Sequence, residues 1–76
     1  MVIDLIVIKT NDGFIAEVPS LKGCESWAHD EETVIKKIIE LTSYYIKLPA
    51  EKIKIDRARN EKNKIIYKLI FDKQVN

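Results

Sequence analysis

The stretch from Val2 to Lys9 is apolar on both of its faces, and this restricts what the chain can fold into. Its β-branched residues read as a strand, with Ile3, Leu5 and Val7 on one face and Val2, Ile6 and Ile8 on the other. Asp4 is the one interruption. A strand of this kind needs cover above and below, and the chain has 76 residues to supply it. A core of that size buries only about 60% of the surface its unfolded chain exposes. One cysteine and one histidine provide neither a disulfide framework nor a four-ligand zinc site. Self-association is therefore the expected additional source of stability.

Local patterns place the other elements. Thr10-Asn11-Asp12-Gly13 is a tight-turn signal, with Gly13 read as the residue that tolerates a positive φ. A second strand follows, with Phe14, Ala16 and Val18 on one face and Ile15 and Glu17 on the other; Pro19 ends it. After the loop Ser20-Leu21-Lys22-Gly23, Cys24 to Ala28 can form a short third strand. Asp30 opens a helix as its cap, and Glu31 and Glu32 sit at the positive end of the helix dipole. Val34, Ile35, Ile38, Ile39, Leu41, Thr42, Tyr45 and Ile46 recur at three- and four-residue spacing, a stripe that requires a sheet to cover. Pro49 stops the helix near Lys47.

Two readings of the next segment stand. Lys52-Ile53-Lys54-Ile55-Asp56 alternates as a strand, turning at Asn60-Glu61-Lys62-Asn63 into a strand over 64–72. The alternative is a helix from Pro49 to Arg59 with Pro49 in its first turn. Either way the fold class is α+β in two layers: a β-β-β-α-β(-β) order with an antiparallel sheet and one helix, in one domain over 1–76. One helix covers one sheet face. The other falls to the C-terminal segment or to another subunit.

The net charge of +1 conceals two opposed halves. Residues 1–46 carry four Lys against eight Asp/Glu, a net of −4; residues 47–76 carry nine Lys/Arg against four Asp/Glu, a net of +5. Such asymmetry suits charged partners or a second copy. No apolar run exceeds Leu5-Ile6-Val7-Ile8, far below the roughly 20 residues of a membrane span. The start carries no basic segment before its apolar residues, so no export signal is read, and with the lone Cys24 the cytoplasm is the expected compartment.

Few residues offer chemistry. Cys24 and His29 form no nucleophilic set without an orienting group and an oxyanion hole; they read as a small core residue and an exposed residue before the helix cap. Neither a metal nor a cofactor is implied, and no enzyme is expected. Glu25, Asp30, Glu31 and Glu32 make an acidic cluster, read as helix-cap electrostatics or as a docking patch for a basic partner. Lys52 and Lys54 would share one strand face, either as a lysine-protected edge or as a weak nucleic-acid contact. Trp27 is either core or an interface anchor, and its alternation with Glu25, away from Cys24 and Ser26, groups it with the outside.

The run Asp12-Gly13-Phe14-Ile15-Ala16-Glu17-Val18-Pro19-Ser20-Leu21-Lys22-Gly23-Cys24-Glu25-Ser26, followed by an acid-capped helix, resembles the HicB-type antitoxin domain. That family carries Asp-Gly-aromatic, an extended pair, Pro-x-Leu-x-Gly-Cys, then Gly-Asp-Thr-x-Glu-Glu-Ala at the helix start. The resemblance covers residues 3–46, with 51–72 as a C-terminal strand region outside it. The helix start departs from the pattern: Ala28, His29 and Asp30 stand for glycine, aspartate and threonine, and Thr33 and Val34 for the second glutamate and the alanine. The resemblance implies a fold similar to part of ribonuclease H, a dimer or dimer of dimers, and a small basic RNA-cleaving HicA-type toxin as partner. Many members add a C-terminal DNA-binding domain, for which this chain has no room after residue 46, so operator binding by the chain alone is not expected.

Overall fold

The computed structural model describes residues 1–72. Its elements are β1 (Val2–Lys9), β2 (Phe14–Glu17), β3 (Glu25–Ala28), α1 (Glu31–Ile46), one 3-10 turn (Ala50–Lys52), β4 (Lys54–Glu61) and β5 (Lys64–Ile70). The strands form one antiparallel sheet in the order β3-β2-β1-β5-β4. The helix packs on one face of it, giving the two-layer α+β arrangement the patterning predicts.

The strand with two apolar faces takes the central place. β1 pairs with β2 from Ile6 to Lys9 and with β5 along nearly its whole length, Val2 opposite Ile70 and Ile8 opposite Lys64. Leu5 and Val7 point under the helix and are buried with Ala16, Val18, Cys24, Ala28, Val34, Ile38, Tyr67 and Leu69. Among the described residues the C-terminal segment leaves the opposite face open, because β5 and β4 widen the sheet sideways.

Asp30 caps the helix as its sequence position suggests: its carboxylate accepts from the Thr33 amide and the Thr33 hydroxyl, both at 2.9 Å. At the other end Lys47 adopts the left-handed conformation, φ 59°, and its amide donates to the Ser43 carbonyl. Glycine or asparagine usually holds this position. Within the helix, Thr42 is fully buried, and its hydroxyl donates to the Ile38 carbonyl at 2.7 Å, so the polar atom travels into the core already satisfied.

Three sequence expectations change. Gly13 does not carry a positive φ; Gly23 does, at 79°. Gly13 is needed for close approach, since a Cβ there would lie 2.4 Å from the Ala28 carbonyl oxygen. The strand expected from Lys52 begins at Lys54, because Pro49 starts a 3-10 turn closed by Lys52 and Ile53 amides on the Pro49 and Ala50 carbonyls. The β4–β5 turn narrows to Lys62-Asn63, with Asn63 accepting a positive φ of 61°.

Candidate partner-binding surface

The open face is assembled by strand register. Val2, Asp4, Ile6 and Ile8 of β1 share it with Lys64, Ile66, Lys68 and Ile70 of β5. β2 adds Ile15 and Glu17, opposite Ile8 and Ile6, and β3 adds Trp27 and Glu25, opposite Ile15 and Glu17. Beyond β5, β4 adds Lys54, Asp56, Arg59 and Glu61. Ile66 belongs to this side: it is buried by its neighbours but lies outside the core cluster under the helix.

Trp27 is 42% exposed, on the edge strand of the face. The ring meets His29 edge-on, centroids 4.6 Å apart, and with Ile15 and Glu25 it lines a shallow depression. Its backbone carbonyl accepts from the Lys37 ammonium at 3.1 Å, which blunts the strand edge. Glu17 and Glu25 stand directly opposite each other across β2 and β3. Among the described residues neither makes an ion pair. Like charges directly opposed on one sheet face repel, so this pair weakens the β2–β3 pairing it sits on.

The far flank carries the opposite sign. Lys68 pairs with Asp4, Arg59 with Glu61 at 2.7 Å, and Lys64 reaches Glu61 at 3.9 Å. Lys54 stands at the start of β4, opposite Ile70. Lys52, in the 3-10 turn, shares no strand face with it, so the expected two-lysine stripe is not formed.

The acidic residues read as one cluster are distributed over different sides. Glu25 lies on the open face, Asp30 is engaged in capping, and Glu32 is exposed in the first helical turn. Glu31 turns to the helix side, where it accepts from the Tyr67 hydroxyl and faces Arg57 at 3.5 Å. Arg57 also lies over the Tyr67 ring, 5.7 Å from its centroid. Burial, and then the hydrogen bond to Glu31, push the Tyr67 phenol above its ordinary value. Next to this triad a cleft of about 250 Å³ is lined by Lys9, Phe14, Glu31, Asn60 and Ile65.

Sequence reading alone misses this triad, which joins residues 26 and 36 positions apart. A register shift between Arg57 and Arg59 sends their side chains to opposite faces, where strict alternation would put them together. The Ile15 and Glu17 contribution was visible in the alternation of β2, but not their position beside Trp27.

Cys24 and His29 are not brought together. Cys24 is in the core, its thiol pushed up by burial, the effect only partly offset by the Thr42 hydroxyl at 3.6 Å. His29 is exposed beside Trp27. Among the described residues no three His, Cys, Asp or Glu side chains converge as a metal would need, and no helix is long and apolar enough to cross a membrane.

Fold and surface together define an α+β domain with one helix-covered sheet face and one face left open by the described residues, the latter combining an exposed tryptophan with Glu17 and Glu25, which make no ion pair among those residues. Comparison with known proteins finds no matching family model, no matching curated protein and no matching solved structure.

Proposed function

We propose that the chain is a non-enzymatic binding module of the HicB antitoxin kind, acting in the cytoplasm on a small basic RNA-cleaving toxin of the HicA type. The observation that carries this reading is the exposed Trp27 beside the opposed Glu17 and Glu25. A cross-strand pair of carboxylates that weakens its own sheet is relieved when a partner supplies a cation between them. An aromatic ring at the rim of such a site is the usual anchor of a protein interface. The Asp12-to-Ser26 motif adds independent support, since it supplies both β2 and the loop that leads into β3.

The mechanism is occlusion. Glu17 and Glu25 take the lysines and arginines with which the toxin would hold RNA phosphates, while Trp27 and Ile15 pack on the apolar ground between them. No bond is made or broken. Glu31 has a lesser part than the sequence suggests, being already engaged by Arg57 and Tyr67.

The test is co-expression with the small basic reading frame expected beside the gene. Rescue of growth and co-purification, both lost in Trp27→Ala and in Glu25→Lys, are the expected results. No such frame, or toxicity unchanged by the wild-type chain, contradicts the proposal.

A further inference from the structure

On the helix-covered side, α1 packs over β2 and β3, and at its first turn the cleft of about 250 Å³ opens between the helix and the β4–β5 hairpin. Register builds its floor. Val7 stands opposite Ile65, Ile65 opposite Asn60, and Phe14 opposite Lys9 two residues further along β1. Val7, Phe14 and Ile65 make that floor apolar. Lys9 and Asn63 lie at the end towards the β4–β5 turn, where the Lys9 amide donates to the Asn63 carbonyl at 2.9 Å.

The polar groups around this floor are few and differ in kind. Glu31 is held in place: the Tyr67 hydroxyl and the Arg57 guanidinium both reach its Oε2, and Arg57 lies over the Tyr67 ring. Its Oε1 accepts from no described residue, and the Asn60 side-chain amide makes no hydrogen bond among those residues. Glu61, the other carboxylate on the cleft, is paired with Arg59 at 2.7 Å. Lys9 makes no ion pair among the described residues. The cleft thus presents one oriented acceptor, one amide that both donates and accepts, an aromatic ring on an apolar floor, and an ammonium at its mouth.

These groups discriminate between guests. A purely apolar one would cover Glu31 and Asn60 without pairing them. A simple cation finds Glu31 already engaged by Arg57. A planar heterocycle with N–H donors beside a carbonyl satisfies every group, and its ring can lie on Phe14. Among the nucleobases, guanine sets a ring N–H and an amino group side by side next to its carbonyl. We propose that this cleft binds a guanine base, Glu31 accepting from its N–H edge, Asn60 donating to its carbonyl and Lys9 meeting the phosphate of the attached nucleotide. The volume lies just under the roughly 300–1,000 Å³ of drug-sized pockets, which suits one nucleotide and not a stacked strand. A free mononucleotide and the end of an RNA strand offer the same base. The site lies on the other side of the sheet from Trp27 and Glu25, so it does not rest on the toxin reading.

Amide chemical-shift mapping of the purified chain, titrated in turn with GMP, AMP, CMP and UMP, tests it. GMP is expected to move the amides of Lys9, Phe14, Glu31 and Asn60, to leave the Trp27 indole signal in place, and to bind about tenfold or more tightly than the other three. Glu31→Gln, which keeps the shape of the side chain, and Asn60→Ala should each weaken GMP about tenfold. Lys9→Ala should bring GMP down to the affinity of guanosine. Circular dichroism of each variant establishes that it is folded. A short RNA ending in guanosine that binds more tightly than GMP identifies a strand end as the natural source; one that binds more weakly identifies the free nucleotide. Absence of shifts at these residues with millimolar GMP, equal affinity for all four nucleotides, or GMP binding undiminished in folded Glu31→Gln and Asn60→Ala overturns the inference.

Discussion

Glu17 and Glu25 face each other in register across β2 and β3, two carboxylates opposed on the open side of the sheet with no cation between them among the described residues. Like charges opposed in this way weaken a sheet rather than strengthen it.

Reversing one of the two charges should separate stability from binding. In Glu25→Lys the repulsion becomes an attraction, and a gain of roughly 0.5 kcal/mol is expected, within the range for cross-strand pairs. A higher denaturant midpoint together with lost co-purification of the proposed toxin is the predicted outcome. A lower midpoint would show that Glu25 serves the fold.

Gly13 should not tolerate a side chain. The Cβ of alanine would lie 2.4 Å from the Ala28 carbonyl oxygen, and that atom belongs to the backbone of β3. Gly13→Ala should cost about 2 kcal/mol or more, by forcing β3 away from the β1–β2 turn. Chemical denaturation measures it.

Lys47 offers the opposite case. It ends α1 with φ 59°, a conformation in which a Cβ is strained and glycine is not. Lys47→Gly should stabilise the protein by about 0.5–1 kcal/mol, read as an upward shift in Tm.

Two groups should set the pH limits of stability. Hydrogen bonds from the Thr33 amide and hydroxyl hold the Asp30 carboxyl below its ordinary value. Its contribution is thus complete above the unfolded value near 3.8 and fades as pH falls through the lower folded value. Asp30→Asn, which keeps the cap, should flatten that acid limb. Tyr67 is held above the ordinary value of 10.0, so its contribution is complete below that pH and fades as pH rises through the higher folded value. Tyr67→Phe should flatten the alkaline limb. Denaturation midpoints from pH 2 to 11.5 check both signs.

What the sequence makes legible follows from the range of the interaction. β1, β2 and α1 are written in periods of two and of three to four residues, and Asp30 caps because its acceptor need reach only to Thr33. Trp27 is legible as outward because Cys24 and Ala28, on the other parity of β3, are core residues. The stagger at Arg57 and Arg59 is not, since a bulge depends on what β5 presents opposite. Nor is the place of Lys52, where Pro49 and the next amides favour a local turn over an alternation that continues unbroken in the sequence. The joining of Glu31 with Arg57 and Tyr67 depends on β4 and β5 presenting these two side chains on the sheet face that the helix covers.

Trp27 is the only tryptophan, so its emission reports directly on the surface that carries the proposal. The decisive measurement is that emission, at a chain concentration low enough to keep it monomeric, as the purified product of the neighbouring basic reading frame is added. If this surface receives the toxin, the spectrum shifts to the blue and saturates at a fixed stoichiometry, the titration weakens with salt, and Glu25→Lys abolishes it. Binding that leaves the emission unchanged, or that persists undiminished in Glu25→Lys, contradicts the account.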